Sequence, residues 1–213
     1  SVHAMINACS HRGACLTKDE SGNRRRFTCP YHGWSFSNVG DLIAVSAEKD
    51  FGTIDKSDYG LMSLPVYESA GLIWAILNPN SKVDIPAFLS GYDKILDTFA
   101  FSDWVYVSKR KFSGPNWKIA YDGYLEYYHV PVLHRDTFGI DATNQGLYYA
   151  WGPHQHIKSP ATEKGHVATE TLGYMADLID KPEDEWDMET LTYGGWTVFP
   201  TTSIASFDAG GRG

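Results

Sequence analysis

The sequence predicts an α+β chain of two domains, a small all-β domain followed by a second domain that mixes strands with a helix. Three observations carry this expectation. The first eighty residues alternate short apolar runs with turn signals. Residues 78–86 hold two prolines among polar residues and read as a linker between the two. Beyond it come an alternating run, a capped helix start and two further strand-like stretches.

The elements follow in order. Arg26-Phe27-Thr28, Trp34-Ser35-Phe36 and the turn Val39-Gly40-Asp41 outline short strands. The apolar runs 61–66 and 72–77, joined through Ser69-Ala70-Gly71, predict a hairpin. Over 105–112, Val105 and Val107 alternate with Tyr106 and Ser108, as on a strand. Ser113-Gly114-Pro115 then breaks the pattern, and Asn116 is a good N-cap. The stretch 117–128 lacks proline and has Gly123 as its single glycine, so a helix is expected there. Residues 194–200 and 202–207 suit strands, and the acidic run 177–189 reads as a solvated helix or loop.

Composition bounds the function classes. Hydrophobic residues make up 43% of 213, enough for a substantial core or for two small ones. A formal net charge of −8 and a pI near 5.4 argue against a nucleic-acid surface. No run of eighteen apolar residues exists, so no membrane span is expected. Three cysteines give no disulfide framework, which suits a reducing, cytoplasmic setting. The first cysteine already stands at position 9 and the chain ends on Gly210-Gly211-Arg212-Gly213, so a piece of a longer protein, truncated at both ends, is expected.

Cys9-Ser10-His11 and Cys29-Pro30-Tyr31-His32 pair a cysteine with a histidine twice, seventeen residues apart. A Rieske-type [2Fe-2S] centre needs two thiolates on one iron and two imidazoles on the other, and each segment can donate one ligand of each kind. Zinc is the competitor. Its pairs usually segregate cysteine from histidine, whereas here C-x-H and C-x-x-H mix them at unequal spacing. Gly13 and Gly33 let backbone approach a cluster and aim amide hydrogens at sulfide, and Pro30 stiffens the second loop. Cys15 has no evident partner and reads as a small buried hydrophobe.

A second constellation, Glu126-x-x-His129-x-x-x-x-His134, falls on the expected helix. Residues three apart share a helix face, so Glu126 would reach toward His129, and Asp122, one turn earlier, is the reserve acid. Pro131 is expected to spoil the helix and bend the chain so that the two imidazoles converge. Two histidines with one carboxylate can hold mononuclear Fe(II) and leave positions open for O2. His154 and His156 alternate as on a strand, lining a cavity or lying exposed. Tyr121, Tyr124, Tyr127, Tyr148, Tyr149 and Trp151 supply aromatic surface near the pair, for substrate or for packing.

The segments NACSHRGA and CPYHGWSF, together with Asn116-Trp117-Lys118 and the spacing from Glu126 to His134, resemble the Rieske non-haem iron aromatic ring-hydroxylating oxygenases, large (alpha) subunit. The resemblance implies a catalytic domain of helix-grip form, an antiparallel sheet wrapped around a helix, and, because a segment resembling Gly71-Leu72-Ile73-Trp74 closes the first domain in that family, a boundary near Pro79 with domains at 1–79 and 80–213. It implies Cys9, His11, Cys29 and His32 as cluster ligands and His129 and His134 as iron ligands. In that family an acidic side chain, at the position of Glu126 here, links an iron-ligand histidine to a cluster histidine of the neighbouring subunit. The third iron ligand of the family is a distant aspartate, and Asp208 stands too close to the pair to match it. The resemblance further implies O2, an aromatic or apolar substrate, a ferredoxin or reductase as electron donor, and a homotrimer or α3β3 assembly. Dihydroxylation is the preferred reaction; monooxygenation or demethylation on the same scaffold, and pure electron transfer, stay open.

Overall fold

In the computed structural model, residues 1–138, 144–158, 162–163, 166–167, 181–182, 185 and 194–206 are described. Most of the acidic run 177–189, together with Phe207 and Asp208, lies outside them. The chain divides into two compact units, Ser1–Ile85 and Pro86–Gly213.

The first unit is built from seven short strands: β1 (Ala4–Met5), β2 (Arg26–Thr28), β3 (Ser35–Ser37), β4 (Leu42–Ala44), β5 (Ser63–Leu64), β6 (Val66–Ser69) and β7 (Leu72–Ala75). Strands β2, β3 and β4 form an antiparallel meander, β1 pairs with β5, and β6 pairs with β7. The β6–β7 hairpin closes through Ala70 and Gly71, both at positive φ (56° and 67°), as a two-residue turn that matches strand twist requires. The core gathers Leu16, Trp34, Phe36, Leu42 and Leu61 around Cys9 and Cys29. Two single-turn 3₁₀ helices, Glu48–Phe51 and Lys56–Tyr59, bring Phe51 and Tyr59 edge-on to Trp34.

The second unit opens with α1 (Ile85–Leu89, beginning at the last residue of the first unit) and α2 (Tyr92–Leu96). It continues with α3 (Trp117–Asp122), α4 (Val130–Leu133), α5 (Arg135–Phe138), β8 (Leu147–Trp151) and β9 (His154–Lys158). A short pair, β10 (Thr162–Glu163) and β11 (His166–Val167), precedes β12 (Gly194–Val198) and β13 (Thr202–Ser206). Strands β13, β12, β9 and β8 make one antiparallel sheet in that order. Its inward face is aromatic. Tyr149, His156 and Trp196 sit directly across from one another, with His156 stacked on Trp196 at 4.0 Å. Tyr92 of α2 lies over this face against Trp151, His154 and Trp196, and its hydroxyl donates to the Gln155 carbonyl (2.7 Å). The architecture is therefore mixed α+β, with an all-β unit first and helices on an antiparallel sheet second.

Four expectations need correction. The helix expected over 117–128 ends at Asp122, because Gly123 closes it and 123–129 runs as turns. Residues 105–112 form no strand: Val105 and Val107 are 85% and 90% exposed, and among the described residues no strand pairs with them. Cys15 is exposed, its thiol turned to the Thr17 carbonyl, so it fills no core position. Pro131 breaks nothing; it sits in the first turn of α4, where its missing N–H costs no bond.

His154 and His156 belong to the core, at 1% and 0% exposure. The Phe199 N–H donates to His154 Nδ1 (3.2 Å), so Nε2 carries the proton and donates to the Phe88 carbonyl (3.0 Å). Burial holds this imidazole below its ordinary range, and the Phe88 carbonyl only partly offsets that. A depressed histidine contributes stability that is full above the unfolded-state pKa, about 6.5, and is lost as pH falls from there toward the folded-state value. His154→Gln is accordingly expected to flatten the slope of unfolding free energy below about pH 6.5. Equal slopes in the two proteins would show that His154 is not the titrating group.

Candidate metal centres

The two cysteine–histidine loops close in the same way despite their unequal spacing. The Cys9 N–H donates to the Ala14 carbonyl (2.8 Å) and the Cys9 carbonyl accepts from Gly13 (2.8 Å). The Cys29 N–H donates to the Trp34 carbonyl (2.7 Å) and the Cys29 carbonyl accepts from Gly33 (3.0 Å). Both glycines have positive φ, 71° and 73°, which a side chain would strain; at Gly33 an added Cβ would also press on Ser46. The result is two matched loops, each presenting one thiol and one imidazole.

Cys9 and Cys29 are each 3% exposed and their thiols interact with one another. Burial pushes the Cys9 thiol up; at Cys29 burial acts the same way, but the N–H groups of Tyr31 and His32 together with the Cys9 thiol outweigh it and pull that thiol down. The His11 and His32 rings meet edge to face, 4.8 Å between centroids. Desolvation, with the nearby His32 and Arg12, keeps His11 below the usual imidazole range and hence neutral, the form that binds metal. Its Nδ1 is buried without a hydrogen-bond partner.

These observations test the fit of a cluster. An orphaned ring nitrogen beside two buried thiols is what a [2Fe-2S] centre uses. Among the described residues no three histidine, cysteine or acidic side chains gather as a single-ion site would need. A cluster does not need that, because its ligands divide into pairs over two irons.

The other constellation lies in the second unit. His129 and His134 flank α4, the first at its N-cap and the second at its C-cap, and the one turn between them brings their rings to 5.3 Å. Glu126 grips His129 twice: Oε2 accepts the backbone N–H (3.0 Å) and Oε1 pairs with ring Nδ1. The hydrogen bond from the His129 ring, chiefly, and then its backbone N–H hold the Glu126 carboxyl below the usual carboxylate range. An ionised carboxylate only accepts, so Nδ1 carries the proton and Nε2 keeps its lone pair free for a metal. Asp122 closes α3, exposed, and the turns after Gly123 remove the helical spacing that would have set it beside Glu126.

A model described as the Rieske [2Fe-2S] domain matches residues 1–68, and one described as the ring hydroxylating alpha subunit (catalytic domain) matches 101–209, half of the chain. The chain belongs to the ring-hydroxylating alpha-subunit family. Among curated relatives of this alpha subunit, the anthranilate 1,2-dioxygenase large subunit of Acinetobacter baylyi is 33% identical over 141 residues, covering 62% of this chain and 30% of the relative. The N,N-dimethyl phenylurea N-demethylase subunit alpha of Sphingobium sp. is 29% identical over 63% of this chain and 31% of its own length. The alpha-subunit chain thus spans about a third of the curated relatives it matches. Among solved structures, naphthalene 1,2-dioxygenase from Rhodococcus sp. bound to indole superposes with a TM-score of 0.71 at 28% identity, over 96% of this chain and 51% of that one.

The aromatic residues expected around the histidine pair divide by role. Tyr121 and Tyr124 line an open cleft with Trp117, Ala120 and Thr202. The Tyr127 hydroxyl donates to the Ile157 carbonyl (3.3 Å), and its backbone N–H donates to the Tyr148 hydroxyl (3.4 Å). Tyr149 and Trp151 pack in the sheet core. Trp34, which sequence reasoning treated only as a strand residue, stacks on His11 at 4.7 Å; its place directly after Gly33 was the available signal.

Proposed function

We propose that this chain is the cluster- and iron-bearing part of a terminal oxygenase that adds both atoms of O2 to an aromatic ring, giving a cis-dihydrodiol. The double grip of Glu126 on His129, with His134 one turn of α4 away, carries the reading. A chain that only relayed electrons would have no use for it. When bound, the cluster supplies single electrons and the mononuclear iron activates O2.

Cys9, His11, Cys29 and His32 would hold the cluster. His129, through Nε2, and His134 would hold the iron. Glu126 fixes the His129 tautomer, and the lone pairs its carboxylate has left after two bonds to His129 leave it able to accept a third hydrogen bond, from a cluster histidine of a neighbouring subunit in a homotrimer or α3β3 assembly. A ferredoxin or reductase would deliver electrons, and the cytoplasm would be the setting. No described helix is long and apolar enough to cross a membrane.

The test is turnover under 18O2 by the protein carrying this chain, on a panel taken from the relatives' names: anthranilate, toluate and benzene. Two labelled oxygens in one cis-diol are expected. A single labelled oxygen would assign monooxygenation or demethylation instead. Electron paramagnetic resonance showing a Rieske signal with no mononuclear iron would overturn the oxygenase reading.

A further inference from the structure

Two rings in the first unit lie face to face, and each carries a buried polar atom with nothing to bond. Trp34 stacks on His11 with centroids 4.7 Å apart and planes 7° from parallel. His11 Nδ1 and Trp34 Nε1 are both buried and lack a hydrogen-bond partner. Reading Cys9, His11, Cys29 and His32 as cluster ligands accounts for the first atom; the second is a donor, which no iron can satisfy. Buried indole N–H groups ordinarily find an acceptor, and a phenylalanine would offer His11 a ring to stack on without needing one.

The backbone makes the placement rigid. The Trp34 carbonyl takes the Cys29 N–H (2.7 Å), so this residue is tied to a cluster cysteine. Phe51 and Tyr59 stand edge-on to the indole at 6.0 and 5.7 Å, and Trp34 is 3% exposed. The ring therefore cannot turn its N–H to solvent without unpacking this core.

We propose that Trp34 is a positioning residue for the iron–sulfur cluster, its Nε1–H donating to a cluster sulfur while its ring holds the His11 imidazole in plane. The proposal rests on the cluster reading above. A hydrogen bond to sulfur favours the reduced, more negative cluster and raises its potential.

The experiment uses the cluster-loaded protein and Trp34→Phe, which keeps a ring and removes the donor. Equal cluster loading is expected, with a lower midpoint potential, by up to about tenfold in the reduced-to-oxidised ratio, or about 59 mV for one electron. In the wild type with 15N-indole-labelled tryptophan, pulsed paramagnetic resonance of the reduced cluster is expected to show an indole nitrogen and an exchangeable proton coupled to it. Unchanged potential in a fully loaded Trp34→Phe would overturn the proposal. So would a labelled wild type without that coupling, the outcome if buried water took the N–H; this measurement decides alone if the variant fails to load. Absence of any Rieske signal in the wild type would instead overturn the cluster reading beneath it.

Discussion

Glu126→Gln is expected to lower iron retention at the His129–His134 pair, and with it O2-dependent turnover, by about 10–100-fold while the cluster spectrum stays unchanged. The carboxylate serves two donors on one residue, the His129 backbone N–H and ring Nδ1. A glutamine offers one acceptor and turns an NH2 toward the other donor, so one contact becomes a repulsion or the imidazole flips to the tautomer with its proton on Nε2. That tautomer has no lone pair at the nitrogen left for iron. Glu126→Asp keeps two acceptor oxygens on a shorter stem and is expected to restore most of the lost iron. Iron per chain after chelator challenge, measured beside the cluster absorbance, reads both variants. Full iron retention in Glu126→Gln would show the carboxylate to be a surface contact with no hold on the metal.

The parts of this chain that could be read from sequence are those whose chemistry is local. Cys9 and His11, or Cys29 and His32, sit within four residues of each other, and the loop that presents each pair is closed by its own backbone through Gly13 or Gly33. The hairpin at Ala70-Gly71 is legible for the same reason. The 117–128 helix was misread because Gly123 was counted as a tolerated interior glycine and stands instead at the C-cap, although Asn116 was correctly the N-cap: its side chain accepts the Lys118 N–H (3.0 Å). Glu126 still meets His129, through a turn instead of a helix face, since three residues of either backbone bring them within reach. His154 could not be placed from sequence at all. Its burial depends on Phe88, 66 residues away, and on the Phe199 N–H, 45 residues away. Over 105–112 the alternation is present, yet a strand forms only with a partner edge, and alternation alone does not supply one.

Trp196→Ala is expected to cost about 3–5 kcal/mol of stability, the upper range for a buried aromatic truncation. Trp196 is fully buried at the centre of the second sheet, and four rings depend on it: His156 stacks at 4.0 Å, Trp151 lies parallel at 6.1 Å, Phe99 meets it edge-on at 5.4 Å and Tyr92 caps it at 5.7 Å. It is also a cross-strand hub, paired with His156 of β9 on one side and Ile204 of β13 on the other. Those rings are held by separate elements, α2, the segment around Phe99 and strand β8, so they cannot collapse together into the space an indole leaves, and the cavity term stays large. At about 2–4 °C per kcal/mol for a chain of this size, the melting temperature is expected to fall by roughly 6–20 °C. Trp196→Phe keeps a ring for His156 to stack on and is expected to lose less. A loss below about 1 kcal/mol in Trp196→Ala would mean that the aromatic face closes over the gap and that the sheet core is held elsewhere.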